Sequence, residues 1–418
     1  MPSFNENLKK YAELAIKIGL NLRAGQQLII FNSSTRGVPI HAAPFVREVA
    51  RAAYTAGARY VDVIWNDEAL LRMRAELAPR DSAKEYSTWH INALKNNLDN
   101  GDAMLTIRSN NPGLLSDLDA DFIGAMQQTH LEKYSPITSA VTMNKSNWLV
   151  IAAASPDWAL KLFPNLSSEE AEAKLWEAIF QITRVDQPDP IAAWETHIKN
   201  LHARSTYLSG KQYKALKYSA PGTDLTIGLP AGHRWISARE LAQNGIEFTA
   251  NIPTEEVFTI PHREQVNGVV SASMPLAYSG MMIEDFSLTF EKGRVVKVSA
   301  KKGESTLKNM VEADEGACLL GEVALVPYSS PISQRGHLFY DPLIDENVAS
   351  HLALGHAYRS NLIGGNELTD AEFMARGGNV SISHVDFMVG SNKLDIDGIK
   401  EDGTTEPVMR KGDWVIEV

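Results

Sequence analysis

Short apolar runs alternate with longer amphipathic stretches through the first half of the chain. Gln27–Phe31, Tyr60–Trp65, Ala103–Arg108 and Trp148–Ala153 read as strands, and the stretches between them read as helices. That alternation predicts an α/β domain with a largely parallel sheet. Helical patterning continues through Leu175–Thr183, and Asp186–Pro190, with two prolines in five residues, is the best linker in the chain. A helix is expected around Trp194–Leu208, after which the pattern turns to strands. Asp224–Gly228 is one, and Phe286–Val298 reads as a hairpin turning at Lys292-Gly293. The 418 residues exceed what one ordinary core supports. The expected architecture is therefore α/β, α+β overall: an N-terminal α/β domain at 1–189 that walls a cleft or contacts a second subunit, then a strand-rich, mixed α+β domain at 190–418 that carries the candidate chemistry.

Candidate chemistry concentrates in the last third. Asn379–Val389 reads as a strand between the Gly377-Gly378 and Gly390 breaks, with Val380, Ile382, His384, Asp386 and Met388 on one face. An unpaired charge in such an apolar row is costly. A metal ion would resolve the conflict and so would a buried His–Asp hydrogen bond, and this segment alone leaves both open. Asp345–Arg359 reads as a helix, acidic at its start, on which His351 and Tyr358 stand seven residues apart and so share a face at about 3.6 residues per turn, while His356 points away. In Asn251–Thr259 two adjacent carboxylates follow Pro253 and precede an apolar run, a loop feeding a strand. Neighbouring side chains on extended backbone diverge, which assigns Glu256 to a metal and Glu255 to a general base. Glu322 interrupts the apolar strand Leu319–Pro327, where a carboxylate needs a cation or several donors to stay ionised.

Six separate segments, Pro253–Thr259, Gly321-Glu322, Phe339-Tyr340, Asp345–His351, Tyr358 and His384–Met388, together resemble the M29 metallo-aminopeptidases, the aminopeptidase T group, in order and spacing. The resemblance covers essentially the whole chain. It implies that Glu256, Glu322, His351, His384 and Asp386 ligate two divalent ions, with Tyr358 at the metal centre and a homodimer as the assembly. Asp341-Pro342 departs from the Asn-Thr-like pair expected there, which bears on substrate preference or loop shape and removes no ligand. The role of Glu255 rests on the paired carboxylates and not on the resemblance.

Composition narrows the alternatives. Hydrophobic residues make up 44% and charged residues 22%, and the net charge of −11 disfavours a nucleic-acid partner while favouring an approaching α-ammonium. The single cysteine, Cys318, excludes an internal disulfide and sits in an apolar run as a small hydrophobe. No stretch approaches membrane-spanning length and no basic-plus-apolar leader follows Met1, so no membrane partner and a cytoplasmic location are expected. Zincin helices, Gly-x-Ser-x-Gly elbows and phosphate loops are absent from the sequence. His197 and His202 read as structural or solvated, and His262 and His337 as lesser cleft candidates. Mixed carboxylate and imidazole donors admit zinc, cobalt, manganese or magnesium. These residues point to a metal-activated water, and the resemblance implies that it removes N-terminal amino acids from peptides. The competing readings are another dimetal hydrolase, an amidase or phosphoesterase, and a non-catalytic metal-binding protein.

Overall fold

Residues 3–278 and 281–418 are described by the computed structural model of the chain. They form two compact units, one of residues 1–197 with 239–253 and the other of residues 198–238 with 254–418.

In the first unit, β1 (Gln27–Phe31), β2 (Tyr60–Val63), β3 (Ala103–Arg108) and β4 (Trp148–Ala152) are joined by β5 (Asn251–Ile252) from much later in the chain. Among the described residues the order is β5-β4-β3-β1-β2, parallel throughout. The expected strands are present, although Tyr60–Trp65 is interrupted at Ile64 before a short Trp65–Asn66 strand. Four of five β1 residues are buried, as a parallel sheet covered on both faces requires. Ile29, Phe31 and Met104 pack with Leu94 and Ile137 of the helices Trp89–Asp99 and Ala120–Thr142. Helix starts follow local chemistry: Ser167 and Glu170 form a capping box at the head of Ser168–Ile182.

Antiparallel sheet dominates the second unit. A large sheet carries the Met281–Glu291 and Arg294–Lys302 hairpin, whose turn residues Lys292 and Gly293 both have positive φ, 47° and 86°. This is the turn that right-handed strand twist favours, as the Lys-Gly pair predicted. A four-stranded sheet, order β6 (Val257–Thr259), β7 (Leu320–Leu325), β8 (His351–Gly355) and β9 (His384–Met388), carries the candidate chemistry.

Two local expectations are overturned. Asp345–Arg359 is not a helix: a turn at Pro342–Asp345 and a 3-10 turn at Glu346–Val348 lead into the β8 strand, and Tyr358 follows it in irregular chain. Good helix formers lose here because His351–Gly355 is buried at every position and hydrogen-bonds to neighbours on both sides, which outweighs propensity differences of a few tenths of a kcal/mol per residue. The Asn379–Val389 strand begins only at His384, so Val380 and Ile382 do not share its face, and Ile382 is 89% exposed.

Register decides what the site sheet presents. Glu322, Ala353 and Asp386 lie opposite one another across β7, β8 and β9, and Gly355 lies opposite His384. By alternation the same face holds Phe258, Ala324 and His351. The other face includes Phe387, whose ring packs on Phe286 of the large sheet at 5.8 Å. Small residues at the centre bring the strands close: a Cβ on Gly355, whose φ is 108°, would stand 2.1 Å from the Ser383 carbonyl oxygen. Gly355→Ala is expected to destabilise the protein by about 1–3 kcal/mol in urea unfolding; an unchanged midpoint would mean that this approach is not tight.

Candidate metal centre

The sheet face and the loop entering β6 gather five side chains, and Glu322 is their hub. Its Oε1 lies 3.4 Å from His351 Nε2 and its Oε2 lies 3.7 Å from His384 Nε2. His351 Nε2 is also 3.3 Å from Glu256 Oε2, and His384 Nε2 is 3.3 Å from Asp386 Oδ1. Two donor groups result, Glu256/Glu322/His351 and Glu322/His384/Asp386, each with its atoms within 4.8 Å of one another. Alternation accounts for this convergence, since Ala324, Ala353 and Gly355 are the small neighbours among which larger side chains would fill the space.

Both imidazoles are held so that Nε2 faces the cluster. His351 Nδ1 lies 3.2 Å from the Ala349 carbonyl and His384 Nδ1 lies 2.7 Å from the His356 carbonyl. A carbonyl can only accept, so each Nδ1 carries a proton and Nε2 is the nitrogen left to face the acids, the orientation metal-ligating histidines adopt. Glu256 Oε2 and Asp386 Oδ1 are buried, and each has an imidazole Nε2 at 3.3 Å as its polar neighbour. Three buried carboxylates converging with two Nε2 atoms form a donor set that suits a divalent cation, and the acids stay ionised without one only if the imidazoles are charged.

The electrostatics describe the same conflict. Burial pushes the Glu256 carboxyl up to about 8, with His351 opposing and the Glu322 and Asp386 charges adding to the rise. Burial alone would depress His351, but its hydrogen bond to Glu322 and the charges of Glu256, Asp386 and Glu322 prevail and raise it to about 10. The same opposition holds for His384, where Asp386 and Glu322 outweigh burial and raise it to about 10. Asp386 is the exception among the acids: burial raises it, yet His384 and His351 bring it below its usual value. In each case an imidazole takes the place of a cation.

Tyr358 lies beside His384, though not on a helix face. It stands just ahead of a 3-10 turn, its ring tilted against His384 at 5.1 Å and edge-on to Phe258 at 6.2 Å. It is 37% exposed, yet its hydroxyl is held well above the ordinary phenol value, first by desolvation and then by the charges of Glu322, Asp386, Glu346 and Glu256.

Glu255 is 2% exposed, and its backbone N–H donates to Asn347 Oδ1 at 2.7 Å. Asn347 is fully buried and its Nδ2 donates to the Leu343 carbonyl at 3.2 Å, so one side chain ties the carboxylate loop to the turn before β8. That turn carries a residue the sequence reading passed over. Glu346 is pushed well above its usual value by burial and by the charges of Glu256, Asp386 and Glu322, with His351 opposing. It had read as one of the acids at a helix start, and only the turn that replaces the helix brings it to the cluster.

The lesser candidates have other partners. His262 accepts the Glu264 N–H at Nδ1 and its ring borders Gly377. His337 packs on Phe339 at 5.0 Å, with Nδ1 at 2.9 Å from the Arg335 carbonyl. His197 meets Arg184 and the edge of Trp194, and Arg359 pairs with Asp370. Asp341 caps the turn by accepting the Leu343 N–H. Cys318 is buried, as its apolar run predicted.

Comparison with known proteins bears out the family expectation. The pattern of the thermophilic metalloprotease (M29) family matches residues 4–414. The chain is 45% identical to aminopeptidase AmpS of Bacillus subtilis (strain 168) over 414 residues, which is 99% of this chain and all of the relative. It is 46% identical to aminopeptidase T of Thermus aquaticus over 416 residues, the full length of both. The solved structure of wild-type AmpT from Thermus thermophilus superposes with a TM-score of 0.92 at 44% identity, covering 99% of this chain and 100% of that one, and it shares the combination of parallel and antiparallel sheets described above. The chain belongs to the thermophilic metalloprotease (M29) family.

Proposed function

We propose that the chain is a metal-dependent aminopeptidase that removes N-terminal residues from peptides at a two-ion centre. The observation that carries the two-ion reading is Glu322, which belongs to both donor groups and directs one oxygen toward each imidazole. Glu256 and His351 would hold one ion with it, and His384 and Asp386 would hold the other. Zinc, cobalt, manganese and magnesium all suit such donors. When bound, the ions supply Lewis acidity and a water whose pKa falls to about 7.

The chain's own groups do the rest. Glu255 takes the proton from the attacking water and returns it to the leaving amine. The Tyr358 phenol, protonated at neutral pH, donates a hydrogen bond to the tetrahedral oxyanion. A second reading gives the proton transfer to Glu346, and it is favoured by the charge interactions of Glu346 with four of the five proposed ligands. The net charge of −11 favours substrates that present a free ammonium. A reducing compartment such as the cytoplasm suits a chain with one buried thiol.

Chelator-stripped protein should be inactive on a leucyl peptide and regain activity with zinc, cobalt or manganese, leaving the N-acetylated twin intact; cleavage of both peptides would point instead to a broader amidase or endopeptidase. Glu322→Ala should lose both ions while Glu256→Ala retains one, as read by metal analysis of the purified variants. Equal loss in the two would sink the bridging role. Glu255→Gln should keep its metal and lose turnover by roughly two or more orders of magnitude. Near-normal turnover there, with that loss in Glu346→Gln, would transfer the base to Glu346.

A further inference from the structure

Arg36 lies in the first unit, in the turn Asn32–Gly37 that follows β1. Asn32 is fully buried and holds this turn from inside: its carbonyl accepts the Gly37 N–H at 2.9 Å and its Oδ1 accepts the Ser34 N–H at 3.0 Å. Its Nδ2 donates to Asn110 Oδ1, just beyond the end of β3, at 2.6 Å. The turn therefore sits at the carboxyl edge of the parallel sheet between β1 and β3. There the order β5-β4-β3-β1-β2 reverses direction, the place where open α/β sheets take ligands.

Arg36 itself adopts a left-handed φ of 63°, uncommon for a residue with a long side chain, and its guanidinium lies over the Tyr86 ring at 4.5 Å. Stacking uses the face of the guanidinium and leaves its in-plane N–H edge available. Among the described residues that edge has no carboxylate or hydrogen-bond acceptor. The ionisable groups that act on Arg36 are Tyr86 and a second cation, Arg74, which is itself spent on the Ser82 and Glu85 carbonyls.

The ring beneath is fixed by two imidazoles. Tyr86 Oη lies 2.9 Å from His130 Nδ1 and 3.0 Å from His90 Nε2. A phenol can donate to one of these nitrogens and accept from the other, so both imidazoles hold the ring in place. Burial keeps both imidazoles below their usual values, His130 at about 4, so neither competes with Arg36 as a charge at pH 7. In a chain with 51 acids and 40 lysines and arginines, a partly buried, strained and stacked guanidinium with no acid beside it is an arrangement that folding alone does not call for.

We propose that Arg36, in the Asn32–Gly37 turn and stacked on Tyr86, forms a binding site for a small oxyanion, a carboxylate or phosphate that the guanidinium grips in its plane. This site is independent of the metal centre and does not rest on the peptidase reading. Calorimetric titration of the full-length protein with sodium N-acetylglycinate and, separately, with inorganic phosphate tests it in wild type, Arg36→Met and Arg36→Lys. Both anions can also meet bound metal, so the informative signal is the part that depends on Arg36. Arg36→Met should weaken one binding event roughly tenfold or more, the scale of lost charged hydrogen bonds, and Arg36→Lys should restore part of it because it keeps the charge without the fork. An Arg36-dependent response to N-acetylglycinate alone identifies a carboxylate ligand, and one to phosphate alone a phosphate ligand. Superimposable isotherms for the three proteins with both anions would overturn the site. Circular dichroism and melting of each variant confirm the fold, and Arg36→Lys remains a valid comparison if the Met variant does not fold.

Discussion

A concentration of negative charge taken out of water is the constraint on which the second unit depends. Glu322 and Asp386 share one sheet face, Glu256 meets them from the loop ahead of β6, and Glu346 stands in their field from the adjoining turn. Buried carboxylates at such spacing repel one another and lose hydration, and only opposite charge or directed donors make the arrangement tenable. The imidazoles of His351 and His384 partly meet that need, yet their Nε2 atoms face the acids because Nδ1 is committed to backbone carbonyls. A centre arranged this way is one that divalent cations complete.

The surrounding architecture serves that concentration. Antiparallel pairing sets Glu322, Ala353 and Asp386 in one row, and the small residues Ala324, Ala353 and Gly355 keep the middle of the face open. Gly321 marks the register shift in β7, and a Cβ there would stand 2.3 Å from the Gly355 carbonyl oxygen, so a bulge and a close strand approach coincide beside the shared carboxylate. Asn347 adds a tie outside the sheet, coupling the Glu255-Glu256 loop to the turn that carries Glu346. Substituting these second-line residues is a change in geometry before it is a change in chemistry.

The two units show different degrees of legibility. In the first, each strand is a buried apolar run between helices, and local pattern coincides with the final structure. What pattern did not reveal is the return of Asn251–Ile252 to pair with β4, because two residues carry no periodicity and the pairing is specified by the partner. In the second, His351–Gly355 has the composition of a helix and the structure of a strand. Its five residues are buried between β7 and β9, and pairing on both sides outweighs an intrinsic preference that is small per residue.

The sequence by itself determined which residue types meet: the apolar strand interrupted by Glu322, the paired acids at Glu255-Glu256, the His-x-Asp at His384 and Asp386, and the Lys292-Gly293 turn. These were legible because each is a local conflict or a local geometric demand, a charge in an apolar run or a positive φ. Tertiary structure alone decided that Glu322 stands in both donor groups, that Glu346 stands in their electrostatic field, and that Tyr358 reaches the site from irregular chain and not from a helix face. Those outcomes depend on register across four strands and on where a turn ends. Register is set by the burial of whole faces and the fit of small residues between strands, so no single segment contains it.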